Sequence, residues 1–362
     1  MRRALKIAVA VLGILAIVAI IERDWTGAQL RALVVISRTE ELAVLDWTTR
    51  ALTPEPRIEE TIIGGAPSTL ARPGRGDGPW PAVVFVNGAT RAGRHHEKVQ
   101  RLADGLARAG FLVVVPDLPG LSLGEITPAT AEATFYAVLG TASRSDVRER
   151  KVALYGVSVG ATLALLAAET PKLKDRVTIV GAEAPWVDLR RVIRLATTGF
   201  YDGERYEIDP YVRLAVARSL AAMGQPGLLE RLEAVDDDDP VPLASLGGSG
   251  PLVALLLNRD PARFDELYAR LPARMRAGVE LLSPIHRAQQ LEMPVELVSA
   301  PHDQYFPPGE ARALARVAPD ARVTVTSTLD HAVPELSFDD IGDLAEFDGF
   351  MVRYLREAAA KD

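Results

Sequence analysis

Hydrophobic residues fall along the chain in two alternating patterns, short continuous runs and longer stretches of helical spacing. Short apolar, β-branched runs are typical of strands buried on both faces of a sheet. Such runs span residues 82–86, 111–115, 152–155, 177–180, 295–299 and 323–326. Helical patterns lie between or after them, at residues 97–109, 128–142, 161–169, 310–317 and 341–357. This alternation predicts an α/β fold with a mostly parallel sheet flanked by helices.

Two intervals depart from the alternation. Residues 58–70 contain Gly64 and Gly65 and predict one or two antiparallel edge strands. Residues 186–283 contain no convincing buried strand and several helical segments, and they are too long for a plain loop. We therefore predict a helical cap inserted at 186–283 between two parts of an α/β core, 58–185 and 284–362. The acidic run at 236–239 is interpreted as a solvated turn or helix start.

The N-terminus predicts a membrane segment. Residues 7–21 are uncharged and almost wholly apolar, and three basic residues precede them. At about 1.5 Å per residue this run spans roughly 22 Å, so its length alone leaves open an uncleaved anchor and a cleaved signal peptide. We favour a single-pass anchor at 1–24 in the cell membrane, with the catalytic domain extracytoplasmic; secretion after cleavage near Ala28 is the alternative. Residues 25–57 are interpreted as an amphipathic juxtamembrane region or as ordinary packing helices.

Composition narrows the classes of function. The formal net charge of −7 makes most of the surface repel a polyanion, so nucleic acid is a poor candidate partner. The chain has no cysteine, which excludes disulfides, thiolate metal sites and cysteine nucleophiles. No group of His, Asp and Glu has the spacing of metal ligands, and neither a metal nor a cofactor is expected.

The strongest chemical motif is Gly-x-Ser-x-Gly at residues 156–160. It lies between a buried-strand pattern and a helical pattern, the position of a nucleophile on a sharp strand-to-helix turn. Such a turn holds the serine at positive φ, and glycines on either side let neighbouring backbone pass without a Cβ clash. Ser158 is therefore the candidate nucleophile.

A serine nucleophile needs a base and a group that orients the base. Asp303 and His331 each follow a predicted buried strand, and parallel sheets gather their functional residues at the carboxyl ends of strands. The chain order Ser158, Asp303, His331 therefore predicts a catalytic triad. Glu183 and Asp188 stay open as alternatives for the acid. His302, beside Asp303, is interpreted as a loop-packing residue.

Acyl transfer also needs donors for the oxyanion, which backbone N–H groups commonly supply. The amide of Val159 follows the serine at a helix N-terminus, where the helix dipole favours negative charge. A second donor is expected from the loop after the strand at 82–86, and the amide of Ala89, next to Gly88, is our choice.

Together these segments resemble the α/β-hydrolase superfamily over about residues 58–357. The resemblance rests on Gly156-Val157-Ser158-Val159-Gly160, on Val86-Asn87-Gly88-Ala89 and on the segments around Asp303 and His331. It implies Ser158 as nucleophile, His331 as general base and then acid, Asp303 as its partner, and the Val159 and Ala89 amides as oxyanion donors. Asn87 stands where many relatives have His. The dienelactone-hydrolase and serine-aminopeptidase branches are only loosely similar.

The leading hypothesis is a membrane-anchored serine hydrolase that cleaves a small-molecule carboxylic ester through an acyl-enzyme. A peptidase or amidase, and an acyltransferase, would use the same triad. A hydrolase fold without catalysis, serving as a binding module, is the alternative from another class.

Overall fold

The computed structural model describes residues 23–40, 42–237, 247–331, 333–334 and 341–361. Residues 1–22 of the predicted membrane segment, and Asp238 and Asp239 of the acidic run, lie outside this part of the chain. Within the described residues, no helix has both the length and the apolar composition needed to cross a membrane.

An eight-stranded sheet forms the centre of the molecule, with strand order β1-β2-β4-β3-β5-β6-β9-β10. β1 pairs antiparallel with β2 and β2 antiparallel with β4, whereas the remaining pairs are parallel. The strands are β1 Arg57–Ile63, β2 Ala66–Arg72, β3 Trp80–Val86, β4 Leu112–Pro116, β5 Val147–Val157, β6 Val177–Glu183, β7 Phe200–Tyr201, β8 Glu204–Arg205, β9 Val295–Ser299, β10 Ala321–Val325, β11 Leu329–Asp330 and β12 Val333–Pro334.

Helices cover both faces of the sheet. α3 and α13 pack with α1 on one face, and α4 and α5 lie on the other. The helices are α1 Arg23–Thr39, α2 Ala43–Leu52, α3 Glu97–Arg108, α4 Pro128–Ala142, α5 Val159–Ala168, α6 Leu189–Thr198, α7 Pro210–Ala222, α8 Pro226–Glu233, α9 Pro251–Leu256, α10 Phe264–Ala269, α11 Ala273–Leu281, α12 Gly309–Ala315 and α13 Ile341–Ala359.

The predicted parallel α/β arrangement is confirmed, and residues 58–70 do contain antiparallel strands. β1 is an edge strand, but β2 lies inside the sheet because it also pairs with β4. The interval 186–283 holds helices α6–α11, and it also contains a two-residue hairpin, β7–β8, that the hydrophobic pattern is too short to reveal.

Residues 25–57, predicted as a juxtamembrane region, contain a helix pair, α1 and α2. α1 buries Ala28, Ala32 and Val35 against α3 and α13, so it is a packing helix of the core. Its described part runs from Arg23, which lies within the segment predicted as the membrane anchor.

Candidate active site

Ser158 occupies the sharp turn that the motif predicts. β5 ends at Val157, α5 begins at Val159, and Ser158 between them has φ 55° and ψ −124°. A Cβ on Gly160 would lie 2.0 Å from the carbonyl oxygen of Val86, and one on Gly156 would lie 2.4 Å from that of Gly160. The motif glycines are therefore required by close backbone approach on both sides of the serine. The Ser158 amide donates to the Glu183 carbonyl at 2.7 Å, which ties the turn to the end of β6.

The side chains of Ser158, His331 and Asp303 form a continuous hydrogen-bonded chain. The Ser158 Oγ lies 2.9 Å from the Nε2 of His331. The Nδ1 of His331 lies 2.9 Å and 2.8 Å from the two carboxylate oxygens of Asp303. This geometry lets the imidazole accept the serine proton while its other nitrogen donates to the carboxylate.

Asp303 is held rigidly for this contact. Its side chain is fully buried, and its Oδ1 accepts hydrogen bonds from the amides of Tyr305 and Phe306 at 2.7 and 3.0 Å. These bonds satisfy a charge that would otherwise be costly to bury. Tyr206, from the interval 186–283, donates its hydroxyl to the Asp303 carbonyl at 2.7 Å and so fixes the loop from the other side.

Aromatic rings hold the imidazole of His331. The ring of Tyr305 stacks on it with a centroid distance of 4.2 Å, and the ring of Phe306 meets it edge-on at 5.6 Å. The Tyr305 hydroxyl donates to Asp209 at 3.1 Å, and Asp209 also caps the N-terminus of α7. Sequence reasoning missed Tyr206, Asp209 and Tyr305. The aromatic pair at 305–306, shortly after Asp303, was the only local signal.

The alternative acids lie elsewhere. Asp188 caps the N-terminus of α6 by accepting from the amides of Arg190 and Arg191. Glu183 accepts a hydrogen bond from the Tyr155 hydroxyl at 2.8 Å. Within the described part of the chain neither carboxyl group contacts His331.

The other histidines near the motif segments have different roles from His331. His302 is exposed, so its interpretation as a loop-packing residue is wrong. The neighbouring Asp303 is the residue whose side chain is buried. His96 lines the cavity and caps α3, its Nδ1 accepting from the Lys98 amide at 3.3 Å.

The two candidate oxyanion donors lie beside Ser158. Val159 is the first residue of α5, and Ala89 follows Gly88, where a Cβ would lie 3.4 Å from the Ser158 Cβ. Among the described residues neither amide has a hydrogen-bond acceptor. The buried Asn87 side chain donates to the Gly88 carbonyl at 2.8 Å. Because the C=O and N–H of a trans peptide point in opposite directions, this bond sets the direction of the Ala89 N–H.

Ser158 and His331 line a cavity of about 860 Å³, within the usual size range of small-molecule sites. Its wall toward the interval 186–283 is largely apolar and includes Trp186, Val192, Ile193, Val212, Val216 and Leu220.

Asp236 and Asp237 of the acidic run line this cavity, although Asp236 is also exposed. Asp237 accepts from Arg218 on α7, which is fully buried, and from Arg91 in the loop after Ala89, at 2.5 and 2.8 Å. The interpretation as a solvated turn is therefore wrong for Asp237, because the buried guanidinium requires a counter-ion.

Comparison with known proteins places the chain in a family. A family model described as the alpha/beta hydrolase fold matches residues 81–337. No curated protein matches. Solved structures that resemble the chain include an esterase from Pyrobaculum calidifontis, with 17% identity, coverage of 92% of both chains and a TM-score of 0.48. A 2,6-dihydroxy-pseudo-oxynicotine hydrolase shows 16% identity over 87% of this chain and 72% of that chain, with a TM-score of 0.49.

Dipeptidyl peptidase 4 of Porphyromonas gingivalis shows 11% identity over 86% of this chain and 37% of its own, with a TM-score of 0.51. At this identity the likeness concerns the fold. The family match covers most of the chain and includes Ser158, Asp303 and His331. The chain belongs to the α/β-hydrolase fold family.

Proposed function

We propose that the protein hydrolyses a carboxylic ester through an acyl-enzyme formed on Ser158. The observation that supports the proposal is the unbroken hydrogen-bonded chain from the Ser158 Oγ through the imidazole of His331 to the Asp303 carboxylate. Its serine end lies on a cavity large enough for a small-molecule substrate.

In the first half-reaction the Ser158 Oγ attacks the ester carbonyl carbon while His331 Nε2 takes the hydroxyl proton. The carbonyl oxygen becomes an oxyanion, which the amides of Val159 and Ala89 stabilise. The carbon–oxygen bond of the ester then breaks, and His331 gives its proton to the departing alcohol. Asp303 holds the imidazole in the required tautomer throughout.

In the second half-reaction water replaces the alcohol. His331 takes a proton from the water as its oxygen attacks the acyl carbon, and a second oxyanion forms in the same place. Collapse of this intermediate breaks the bond to the Ser158 Oγ, which recovers its proton from His331. The products are a carboxylic acid and an alcohol, and the enzyme returns to its starting state.

A fluorophosphonate probe tests the assignment. Wild-type protein should be labelled, Ser158→Ala should not, and His331→Ala should be labelled far more slowly because the serine lacks its base. Ser143→Ala, which removes an exposed hydroxyl at the end of α4, is the matched control and should be labelled normally. Absent labelling of the wild type would favour a binding module, and labelling of Ser158→Ala would refute the nucleophile.

Paired substrates distinguish the reactions that share this machinery. An aryl butyrate ester should be hydrolysed with a higher kcat/KM than the corresponding butyryl anilide, because the ester carbonyl is the more reactive one. Comparable turnover of the anilide would indicate an amidase or peptidase. Preferential transfer of the butyryl group to an added alcohol over water would indicate an acyltransferase.

We also propose that residues 1–24 anchor the protein in the cell membrane, with the catalytic domain extracytoplasmic and residues 186–283 as its cap. Large exposed apolar side chains are concentrated next to this segment, at Trp25, Leu30, Leu33, Leu45, Trp47, Leu52, Ile58 and Ile62, which supports a location beside lipid. Ala28 is buried within α1, which argues against cleavage there. Carbonate extraction of membranes tests the anchor: retention is expected, and release as a shortened soluble species would indicate secretion.

A further inference from the structure

The cavity extends past Ser158 onto the opposite face of the sheet from α4 and α5. There its lining comes from α1, α3, α13 and the neighbouring strands, and it includes Val35, Phe85, Val99, Leu102 and Met351. We call this part, with Tyr155 and Glu183, the inner arm. Its apolar walls resemble those of many ligand sites, in which a few polar groups fix the orientation of the ligand.

Glu183 is a deeply buried polar residue of the inner arm that has an unsatisfied oxygen. Its side chain is 4% exposed, and its Oε2 accepts the hydrogen bond from the Tyr155 hydroxyl. Its Oε1 has no hydrogen-bond partner within the described residues. A buried polar atom without a partner costs about 1–3 kcal/mol, so a bound molecule that supplies one gains affinity and orientation. The Ser158 amide donates to the backbone carbonyl of Glu183, and both residues line the same cavity.

The protonation state of Glu183 defines which ligand group it would bind. Burial raises the pKa of Glu183 to about 8, so the carboxyl group is mostly protonated at neutral pH. Because Tyr155 donates to Oε2, the proton belongs on Oε1, the oxygen that is free to donate to a ligand bound in the arm that Glu183 helps to line.

Two further charged residues line the inner arm. Glu40, on the turn that follows α1, has a buried Oε1 that is also without a partner in the described part of the chain, and Lys98 lies on α3. Burial raises the pKa of Glu40, and the Lys98 ammonium partly opposes this. A hydroxyl group can both accept from Glu183 and donate to a neighbouring acceptor, whereas a methyl group can do neither.

We propose that the inner arm is a subsite for a hydroxyl group of the substrate, bound by Glu183, so that the protein selects hydroxylated esters. This rests on the proposed ester hydrolysis. It adds a preference that the triad alone does not supply, because the triad contacts only the reacting carbonyl and its two oxygens.

Two pairs of esters test the subsite. In one pair a hydroxyl replaces the terminal methyl of the alcohol part, as in 3-hydroxypropyl butyrate against butyl butyrate. In the other it replaces the terminal methyl of the acyl part, as in methyl 4-hydroxybutyrate against methyl pentanoate. The wild type should show at least a tenfold higher kcat/KM for the hydroxylated member of one pair, since a buried polar group left unpaired by the methyl analogue is costly.

Variants assign the preference to Glu183. The ratio of kcat/KM for the hydroxylated ester to kcat/KM for its methyl analogue measures the preference. Glu183→Met, which keeps the side-chain length and removes the polar group, should bring this ratio to about 1. Glu183→Gln, whose amide can still donate, should retain most of the preference. Glu169→Met is the matched control. Burial raises the pKa of Glu169 to about 8 as well, but this residue lies near Arg287, at 3.6 Å, and does not line the cavity. It should keep the wild-type ratio.

Several outcomes would overturn the subsite. They are equal kcat/KM within both pairs, or a preference that survives Glu183→Met or is lost equally in Glu169→Met. If Glu183→Met does not fold, the test is inhibition of wild-type ester hydrolysis by two alcohols of equal length. 1,4-Butanediol should inhibit more strongly than 1-pentanol, and the reverse order would refute the subsite. Failure of the proposed function is distinguishable, because then no ester is hydrolysed in a Ser158-dependent way.

Discussion

Ser158 and His331 both have positive φ, 55° and 53°, although neither is glycine. Such conformations cost of order 1–3 kcal/mol each and persist only where the surrounding structure holds them. At Ser158 the turn is held by the ends of β5 and β6 and by the start of α5. The strain places the hydroxyl at the edge of the sheet, within hydrogen-bond distance of the imidazole.

This strain predicts that Ser158→Gly is more stable than Ser158→Ala by about 1 kcal/mol or more, because glycine adopts positive φ without a Cβ clash. Both variants lack the hydroxyl, so the comparison isolates the backbone. Chemical denaturation of the two proteins measures the difference. Equal free energies of unfolding would show that the turn is not strained.

Asn87 orients one of the candidate oxyanion donors through a single hydrogen bond. Its side chain directs the Gly88 carbonyl, and with it the opposed Ala89 amide. Asn87→Ala should therefore lower kcat roughly tenfold or more with little change in KM, as expected when oxyanion stabilisation is weakened. Asn258→Ala removes another buried amide that bonds to a backbone carbonyl away from the cavity, and it should leave kcat unchanged. An unchanged kcat in Asn87→Ala would refute the positioning role.

At the scale of elements, Asp237 joins α7 to the loop that carries Ala89. It binds Arg218, which is fully buried, and Arg91, whose side chain is 51% exposed. Arg218 also donates to the backbone carbonyls of Leu123, Leu232 and Val235, so the turn at Leu123 and the C-terminal end of α8 meet at one guanidinium. The interval 186–283 and the site loops are thus held together by one ion-pair network.

The two ends of this network should differ in their effect on stability. Asp237→Ala leaves the Arg218 cation buried without a counter-ion and should lower the free energy of unfolding by about 3–5 kcal/mol. Arg91→Ala removes a pair that is open to solvent and should cost less than about 1 kcal/mol. Urea denaturation of both variants tests this. Similar losses in the two would contradict the unequal burial of the arginines.

At the scale of the whole molecule, buried carboxyl groups make folding depend on pH. Burial raises the pKa of Glu169 and of Glu183 to about 8, above the value of about 4.3 in an unfolded chain. Between these pH values the folded protein binds more protons than the unfolded chain, so its free energy of unfolding decreases as the pH rises. Asp146 and Asp237 have lowered pKa values and act in the opposite direction, but only below about pH 4.

We therefore expect a higher Tm at pH 5.5 than at pH 8.5. The free energy of unfolding should fall by up to about 1.4 kcal/mol per pH unit for each of the two carboxyl groups, over the pH range in which that group is protonated only in the folded state. Thermal unfolding over this range measures the effect, and the Glu169→Gln, Glu183→Gln double variant should show a shallower dependence. A Tm that rises toward pH 8.5, or a double variant whose Tm depends on pH as steeply as that of the wild type, would show that these two carboxyl groups do not cause the pH dependence.

The sequence by itself determined most of the sheet and the positions of the candidate triad along the chain. Buried parallel strands are continuous apolar runs, and a serine at a strand-to-helix turn needs glycines beside it, so both leave local signals. The same local patterns indicated Asp303 and His331 because each follows such a strand.

Only the tertiary structure decided the contacts between residues far apart in the chain. It packed α1 on the core, placed β2 inside the sheet, stacked Tyr305 on His331, paired Asp237 with Arg218 and buried the Glu183 side chain against Tyr155. The helical pattern of residues 25–57 fits a membrane-surface helix and a packing helix equally, and no motif identifies the partners in the other contacts, because each contact depends on which surfaces meet after folding. Burial and charge pairing arise only when these surfaces pack together. They set the pKa values and hydrogen-bond partners of residues, such as Glu183 and Asp237, whose roles the local sequence leaves open.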